Sequence, residues 1–555
     1  MNENGRLARF CDILDRRSVR LLCFLVSGVL TGLTLVFPQI GLIEWISLVP
    51  MALCLWRMAD VGGLRLRALY GWGVLFFWSF GLAVFHWFVD MYPLDFVPGL
   101  DTAGAVSVVL LGWLGLSLFQ AVQGGLVFVF LALLMRSPIA RRLPALRPFF
   151  LGGLWAIFEW WLTQGWFGVP WGRLSLGQTE LVVGLQTASL FGPYFVTFLL
   201  VTASMLVAVA ILTPDRRRLW AGVAVSVLVF QYGVGTLLYL THHDEGEPIT
   251  VVAVQGNLSS RNESGGASAS ETFAVYRRYT REAAEAGADL VVWPETALTY
   301  TVTEGGTRWQ MLSELSKSCE VTILVGAFSR DEEGNQYNSV FCFLPDGSAA
   351  EAVYSKRHLV PFGEYVPMRD VIELLLPSLS ELVLSAKDTS PGTDSEVFDT
   401  ALGRIGSILC YDSVFEELTR DSVNDGAQLI CLSTNDSWFL DSAAIYMHKA
   451  QSQLRAIETG RYVVRSGNTG ISAVITPRGE VAGELAPLVE GTVTEEVYLR
   501  DGQTLYMVIG NFFVYLWMPV FAVLLGHAVY TGIWWKIWKK REEERKKDIE
   551  KMKEN

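Results

Sequence analysis

The sequence predicts a multi-pass α-helical membrane bundle of about eight spans, joined to an extracytoplasmic α/β domain with layered sheets. Three observations carry that expectation. Long apolar runs fill the first ~240 residues, basic residues gather in alternate short loops, and residues 241–505 switch to short β-rich runs alternating with helical patterns.

Taken in order, apolar runs stand near 20–38, 41–57, 68–90, 105–134, 147–163, 182–212 and 219–240, with one more near 506–535. A span needs about 20 mostly apolar residues. The two runs inside 20–57 are close together, as in a hairpin that does not cross fully. The loops fix an orientation. Arg16 and Arg17 precede the first run, and Arg57, Arg65 and Arg67 lie between the second and third. Arg136, Arg141, Arg142 and Arg147 separate the fourth and fifth, and Arg216, Arg217 and Arg218 the sixth and seventh. The intervening "DMYPLDFVPGLD" carries Asp90, Asp95 and Asp101 but no base. By the positive-inside rule both termini are cytoplasmic and residues 241–505 lie outside. The division expected is a bundle over 1–240 with about seven spans, a domain over 241–505, a last membrane helix over 506–535 and a charged cytoplasmic tail over 536–555. The first apolar run, followed by more spans, reads as a retained anchor rather than a cleaved leader.

In the outer half, "ITVVAVQGN", "DLVVWPET", "VTILVGAFS", "NSVFCFLP", "RIGSILCYD", "QLICLSTND", "RYVVRSG" and "ISAVITP" read as strands. Helical patterns occupy about 271–286, 415–427 and 443–459, and "PDGS" is a turn. Residues 371–395 form a long, partly apolar insertion, which is either a lipid-touching arm or a buried surface helix.

Composition narrows the function. With 51% hydrophobic residues and 19 Trp in 555, the chain is too apolar for a soluble enzyme, and a net charge of −12 argues against a nucleic-acid partner. The seven cysteines contain no CxxC pair and the six histidines form no cluster, so no metal or organic cofactor is expected. Cys319 and Cys342 are a candidate disulfide only on grounds of compartment.

Chemistry collects at strand ends. Glu295 ends "LVVWPE", Lys356 sits in "YSKRHLVPFGEYVP" and Cys410 ends "GSILC", so a sheet rim could gather all three. A thiol needs a base to become a nucleophile, and an ammonium stabilises charge on sulfur or on an oxyanion. The N–H of Tyr411 could face the same oxyanion. Each residue alone has an ordinary reading: a packing cysteine, a surface glutamate, a solvated lysine. A Cys–His pair with His358 is a second arrangement, and His448, beside Lys449 on a helix, reads as structural.

"WPET", "KRHLVPFGEYVP", "CYD" and "STNDSWF" together resemble the nitrilase superfamily, and with the membrane half they resemble its membrane-embedded apolipoprotein N-acyltransferase family. The resemblance spans nearly the whole chain, and "HLVPFGEYVP" is its most specific part. It implies a nitrilase-like α-β-β-α sandwich, with Glu295 as general base, Lys356 as oxyanion and thiolate stabiliser, and Cys410 as nucleophile. It further implies Glu364 as a second carboxylate orienting Lys356 or the amine, and Asn338 in the site wall. Tyr411, Trp438 and Phe439 would line the mouth, with Asn435 holding its loop. Asp412 stands where many members have Glu, and "SSRNESGG" replaces a segment that often holds Trp.

The activity implied is transfer of an acyl chain from a membrane phospholipid, through a cysteine thioester, to the α-amino group of the amino-terminal diacylglyceryl-cysteine of lipoproteins. The setting implied is a bacterial plasma membrane, and the enzyme is expected to act as a monomer. Two rivals stand beside it: a membrane-anchored amidase or nitrilase hydrolysing small amides, and an inactive scaffold or transporter. For the latter, Glu44, His86 and Glu159 are the ionisable candidates within or near spans.

Overall fold

The structure, a computed structural model, describes residues 3–60, 65–94, 100–165, 168–258, 269–370, 374 and 389–554. Among them, seven helical segments are long and apolar enough to cross a membrane: Arg17–Val36, Pro38–Ala59, Leu66–Val84, Thr102–Arg136, Pro193–Leu212, Pro214–Thr241 and Phe512–Gly532. The last begins a 43-residue helix, Phe512–Glu554, that runs on into the charged tail.

The run expected at 147–163 yields a helix of 12 residues, Phe150–Trp161, about 18 Å long and short of a full crossing by itself. A 3₁₀ segment, Pro144–Phe149, with Pro148 inside it, leads into this helix. The run expected at 182–212 is also cut. Gly192, at φ +79°, and Pro193 stop a short helix, Ala188–Phe191, and start the span Pro193–Leu212.

Among the described residues, thirteen strands build the other half: β1 Ile249–Gln255, β2 Leu290–Val292, β3 Leu298–Thr301, β4 Thr322–Arg330, β5 Gln336–Phe343, β6 Tyr354–Ser355, β7 Val397–Thr400, β8 Gly403–Leu409, β9 Leu429–Thr434, β10 Val463–Gly467, β11 Ser472–Ile475, β12 Val481–Leu485 and β13 Gly491–Val497. They form two sheets. One runs β13-β1-β2-β4-β5-β6 with β3 beside β4, and the other runs β12-β11-β10-β9-β8-β7. Each has a parallel centre, β1-β2-β4 in the first and β8-β9-β10 in the second.

Side-chain alternation assigns the layers. Val251, Ala253, Leu290 and Val292 meet Ile405, Leu409, Leu429, Cys431 and Val464 between the sheets. The neighbours Val252, Val254, Val291 and Trp293 turn outward onto the helices Ala269–Glu285 and Thr307–Cys319, through Phe273, Tyr276, Leu312 and Leu315. The outward residues of the second sheet, Ile408, Ile430, Leu432 and Val463, pack with the helices Glu416–Asn424 and Ala443–Thr459. This is the α-β-β-α sandwich. Its second helical layer shares one apolar core with the membrane helices, where Leu454 and Ile457 belong to the same cluster as Leu185, Tyr194 and Phe521.

Polar contacts stitch that junction. Arg173 donates to Glu416 at 2.8 Å, both fully buried, and Glu416 also binds Tyr194 and lies 4.0 Å from Arg455. Burial raises the Glu416 pKa, but Arg173 and Arg455 outweigh it and hold the carboxyl at about 2. Elsewhere along the seam Gln186 donates to the Arg478 carbonyl at 2.8 Å and Tyr239 bonds to Glu480. Cys319 and Cys342 are both free.

Candidate active site

Two sheet rims deliver the polar residues. Glu295 follows β2, Lys356 follows β6, Cys410 follows β8 and Asn435 follows β9. The first contact is dictated by charge. Lys356 Nζ lies 2.8 Å from Glu295 Oε1 and 3.0 Å from Glu364, with only 2% of its side chain exposed. Burial alone would depress this ammonium, but Glu295, Glu364 and Cys410 keep it well above the ordinary lysine range.

The carboxylates are fully engaged. Asn338 Nδ2 donates to Glu295 at 2.8 Å and to Glu364 at 3.1 Å, bridging the two. The Asn435 amide donates to Glu295 Oε2 at 2.9 Å, and its side chain reaches Thr296 Oγ1 at 3.2 Å. The Val360 amide fixes Glu364 Oε2 at 2.8 Å. Gly326 on β4 makes this crowding feasible, since a Cβ there would sit 2.2 Å from the Pro294 carbonyl oxygen and 2.9 Å from Glu295 Cα.

Cys410 opens a 3₁₀ turn, Cys410–Val414, with φ +46°, a left-handed conformation that costs a β-carbon residue about 1–3 kcal/mol and gathers at functional sites. Its thiol is pushed up by burial and by Glu295, against the opposing pull of Lys356. The group at rest is therefore a thiol rather than a thiolate.

Asp412 ties this turn to the lysine segment. It accepts from Tyr354 Oη at 2.7 Å and from the His358 amide at 2.7 Å. Burial raises its pKa, against the His358 amide and Lys356. Tyr411 Oη donates to the Gly168 carbonyl at 2.8 Å and its ring stacks on Trp171, so the residue after Cys410 is bolted to the membrane half. Phe439 packs edge-on against Trp87 at 5.2 Å, and Trp438 is half-buried. His358 stacks on Phe415 at 3.9 Å and faces Glu417 at 3.7 Å, a poor arrangement for serving Cys410. Of the 371–395 insertion, 371–373 and 375–388 lie outside the described residues, as does the "SSRNESGG" segment. The returning end is pinned to the site, with the Gly392 amide donating to the Lys356 carbonyl at 2.8 Å.

Four residues here are not singled out by sequence: Asp436, Ser413, Arg465 and Thr434, whose hydroxyl donates to Asp436 at 3.3 Å, while His448 reads from sequence as structural. Asp436, His448 and Cys410 Sγ present ligand-type atoms within 4.8 Å of one another. Asp436 already receives Arg465 at 2.7 Å and His448 Nδ1 at 2.9 Å. The guanidinium occupies the charge a cation would seek, and the set reads as an internally paired network. Glu159 is likewise satisfied inside the bundle, by the Leu174 amide at 2.9 Å and Thr197 at 2.7 Å, whereas Glu44 receives Gln178 at 2.7 Å on Oε2 and its buried Oε1 has no partner among the described residues.

Comparison with known proteins covers both halves. A family model described as apolipoprotein N-acyltransferase N-terminal domain matches residues 27–206, and one described as carbon-nitrogen hydrolase matches 250–506. The chain is 31% identical to an apolipoprotein N-acyltransferase of Geobacter metallireducens over 94% of this chain and 96% of that one. It is 32% identical to one of Gloeobacter violaceus over 93% and 95%. Among solved structures, Saccharomyces cerevisiae Nit3 of the nitrilase superfamily aligns with 46% of this chain and 91% of its own, at 21% identity and a TM-score of 0.36.

Proposed function

Because the chain belongs to the apolipoprotein N-acyltransferase family, we propose that it moves an acyl chain from a membrane phospholipid to the α-amino group of a lipoprotein's amino-terminal diacylglyceryl-cysteine, in two steps through a thioester on Cys410. The observation that carries this reading is the buried Lys356–Glu295 pair, with the part-buried Glu364 on the same lysine, beside the strained turn that Cys410 begins.

In the first step Cys410 Sγ attacks the ester carbonyl while Glu295 takes the thiol proton. Since burial keeps the thiol protonated, the proton moves as the S–C bond forms. Charge develops on the carbonyl oxygen, where the Lys356 ammonium and the Tyr411 amide stabilise it. The ester C–O bond breaks, and Glu295 returns its proton to the leaving lysophospholipid oxygen. In the second step the amine nitrogen attacks the thioester and Glu295 accepts a proton from it. The C–S bond then breaks and the sulfur is reprotonated. Atoms and charges balance using the protein's own groups.

Glu364 and Asn338 hold Lys356 and Glu295 in register through both steps. An aromatic wall of Phe439, Trp87, Trp171 and Tyr411, shared between domain and bundle, favours the amine over water at the thioester. In our reading the domain faces away from the cytoplasm and both termini lie inside. That orientation needs an eighth crossing, for which Pro144–Phe149 and Phe150–Trp161 together supply roughly 30 Å. Relatives matched over 93–94% of the chain favour acyl transfer over a simple amidase or an inert scaffold.

Incubation of the purified protein with isotopically labelled phospholipid, followed by mass measurement of the Cys410 peptide, tests the reading. An acyl adduct absent from Cys410→Ser is expected. Amide hydrolysis without an adduct, or an inert Cys410, refutes it.

A further inference from the structure

Behind Cys410, on the side facing the helix Ala443–Thr459, lies a polar group that the steps above do not use. His448 Nε2 lies 3.1 Å from the Cys410 carbonyl oxygen and 2.9 Å from Ser413 Oγ, and that hydroxyl donates to the same carbonyl at 2.7 Å. The other ring nitrogen, Nδ1, faces Asp436 Oδ1 at 2.9 Å. Burial raises the Asp436 pKa, but His448 and Arg465 hold it at about 2, so the carboxylate is ionised and only accepts. Nδ1 therefore carries a hydrogen, and Nε2 carries one too, since the Cys410 carbonyl only accepts and the Ser413 hydroxyl spends its hydrogen on that carbonyl.

Arg465 locks the pair from behind, donating to Asp436 Oδ2 at 2.7 Å, to the Ile471 carbonyl at 3.0 Å and to Ser452 Oγ at 3.2 Å. His448, Asp436, Arg465 and Ser413 are each at most 1% exposed. Four polar side chains are thus committed, at the cost of their desolvation, to one carbonyl oxygen.

That carbonyl controls where the next amide points. In a trans peptide unit the C=O and the following N–H are antiparallel, and the unit is planar. Holding the Cys410 oxygen toward His448 turns the Tyr411 N–H the opposite way, toward the front of the site. It also holds Cys410 at φ +46°, which the residue would otherwise leave for an extended or right-handed conformation.

We infer that His448 is a positioning residue: oriented by Asp436 and Arg465, it works with Ser413 to pin the Cys410 carbonyl and thereby aims the Tyr411 amide at the oxyanion. The inference rests on the reading of Cys410 as the acylated nucleophile. His448 touches no substrate and moves no proton in it.

The test compares two reactions of the same thiol in the full-length protein. Acylation by labelled phospholipid passes through an oxyanion, whereas alkylation by iodoacetamide is a direct displacement and does not. In His448→Leu the single-turnover acylation rate falls about 10²–10³-fold, as for loss of one oxyanion donor, with half-saturating phospholipid unchanged and the alkylation rate within about threefold of the parent. A role in folding alone would lower the fraction of protein that reacts and leave both rates alone. His448→Gln, whose amide reaches the ε position, recovers acylation to within about tenfold, and His448→Asn, whose amide stops at the δ position, does not.

Should the Leu variant fail to accumulate, the Gln and Asn variants decide, and equal rates in those two overturn the inference. Parent-like acylation in His448→Leu also overturns it, as does a parallel fall in alkylation. If the parent itself forms no adduct, it is the acyl-enzyme reading that fails, and the variants need not be consulted.

Discussion

Replacing Arg173 with Met should loosen the seam between bundle and domain by an amount that can be worked out. Arg173 and Glu416 are each 1% exposed on their side chains and 2.8 Å apart, so removing the cation strands a buried carboxylate. The gap between an ordinary glutamate near 4.5 and about 2 in the fold corresponds to ~3 kcal/mol, because each pH unit is worth about 1.4 kcal/mol. Arg455 at 4.0 Å and Tyr194 remain, so the loss falls within that figure. At about 2.1 cal/mol/K of unfolding entropy per residue, each kcal/mol moves the midpoint of a 555-residue unit by about 0.9 °C, which predicts a drop of roughly 2–3 °C in detergent.

The sign with pH follows from the depressed pKa. The stabilisation is fully present above about pH 4.5 and is lost as pH falls toward 2. The parent should therefore lose stability over that window more steeply than the variant. Arg173→Met combined with Glu416→Leu removes both charges and should recover at least half of the loss. Differential scanning fluorimetry across pH reads all of these. A midpoint shift under about 1 °C, or a double variant no more stable than the sum of its parts, overturns this account.

Three further expectations concern the rim. Lys356→Met leaves Glu295 and Glu364 bridged only by Asn338, and single-turnover acylation of Cys410 should fall by at least about 10³-fold, measured by intact mass. Gly326→Ala places a methyl 2.2 Å from the Pro294 carbonyl oxygen and must displace Glu295; acylation should drop about 10²-fold with a midpoint within a few degrees of the parent. Asp412→Ala strips the Tyr354 hydroxyl and the His358 amide of their acceptor, which should cost about 2–4 kcal/mol in thermal stability; Asp412→Asn should cost less.

Much of this architecture is legible in one sequence because its signals are local. Apolar runs and their arginines announce the bundle, and strand ends announce Glu295, Lys356 and Cys410. The misses are long-range or fine-grained. A hydropathy reading of 182–212 counts apolar residues and passes over Gly192–Pro193, where backbone geometry ends one helix and begins another. The 147–163 run is apolar but for Arg147, Glu159 and Thr163, yet only 12 of its residues hold α-helical form. Asp436 and Arg465 meet His448 from 12 and 17 residues away, and Arg173 meets Glu416 across 243. No periodicity links such positions, since burial alone forces them to pair. His448 sits on a helix nearly all of whose residues are buried, so its sequence surroundings do not distinguish a packing role from a mechanical one.

The shared apolar core between the second helical layer and the membrane helices has a practical corollary. A soluble fragment excised at residue 241 would carry Leu454, Ile457 and the whole inner flank of that helix naked into water, and would aggregate rather than dissolve. Reconstitution must start from the intact polypeptide. The shared core predicts that bundle and domain melt together, so that lipid composition would bear on the reactivity of the thiol.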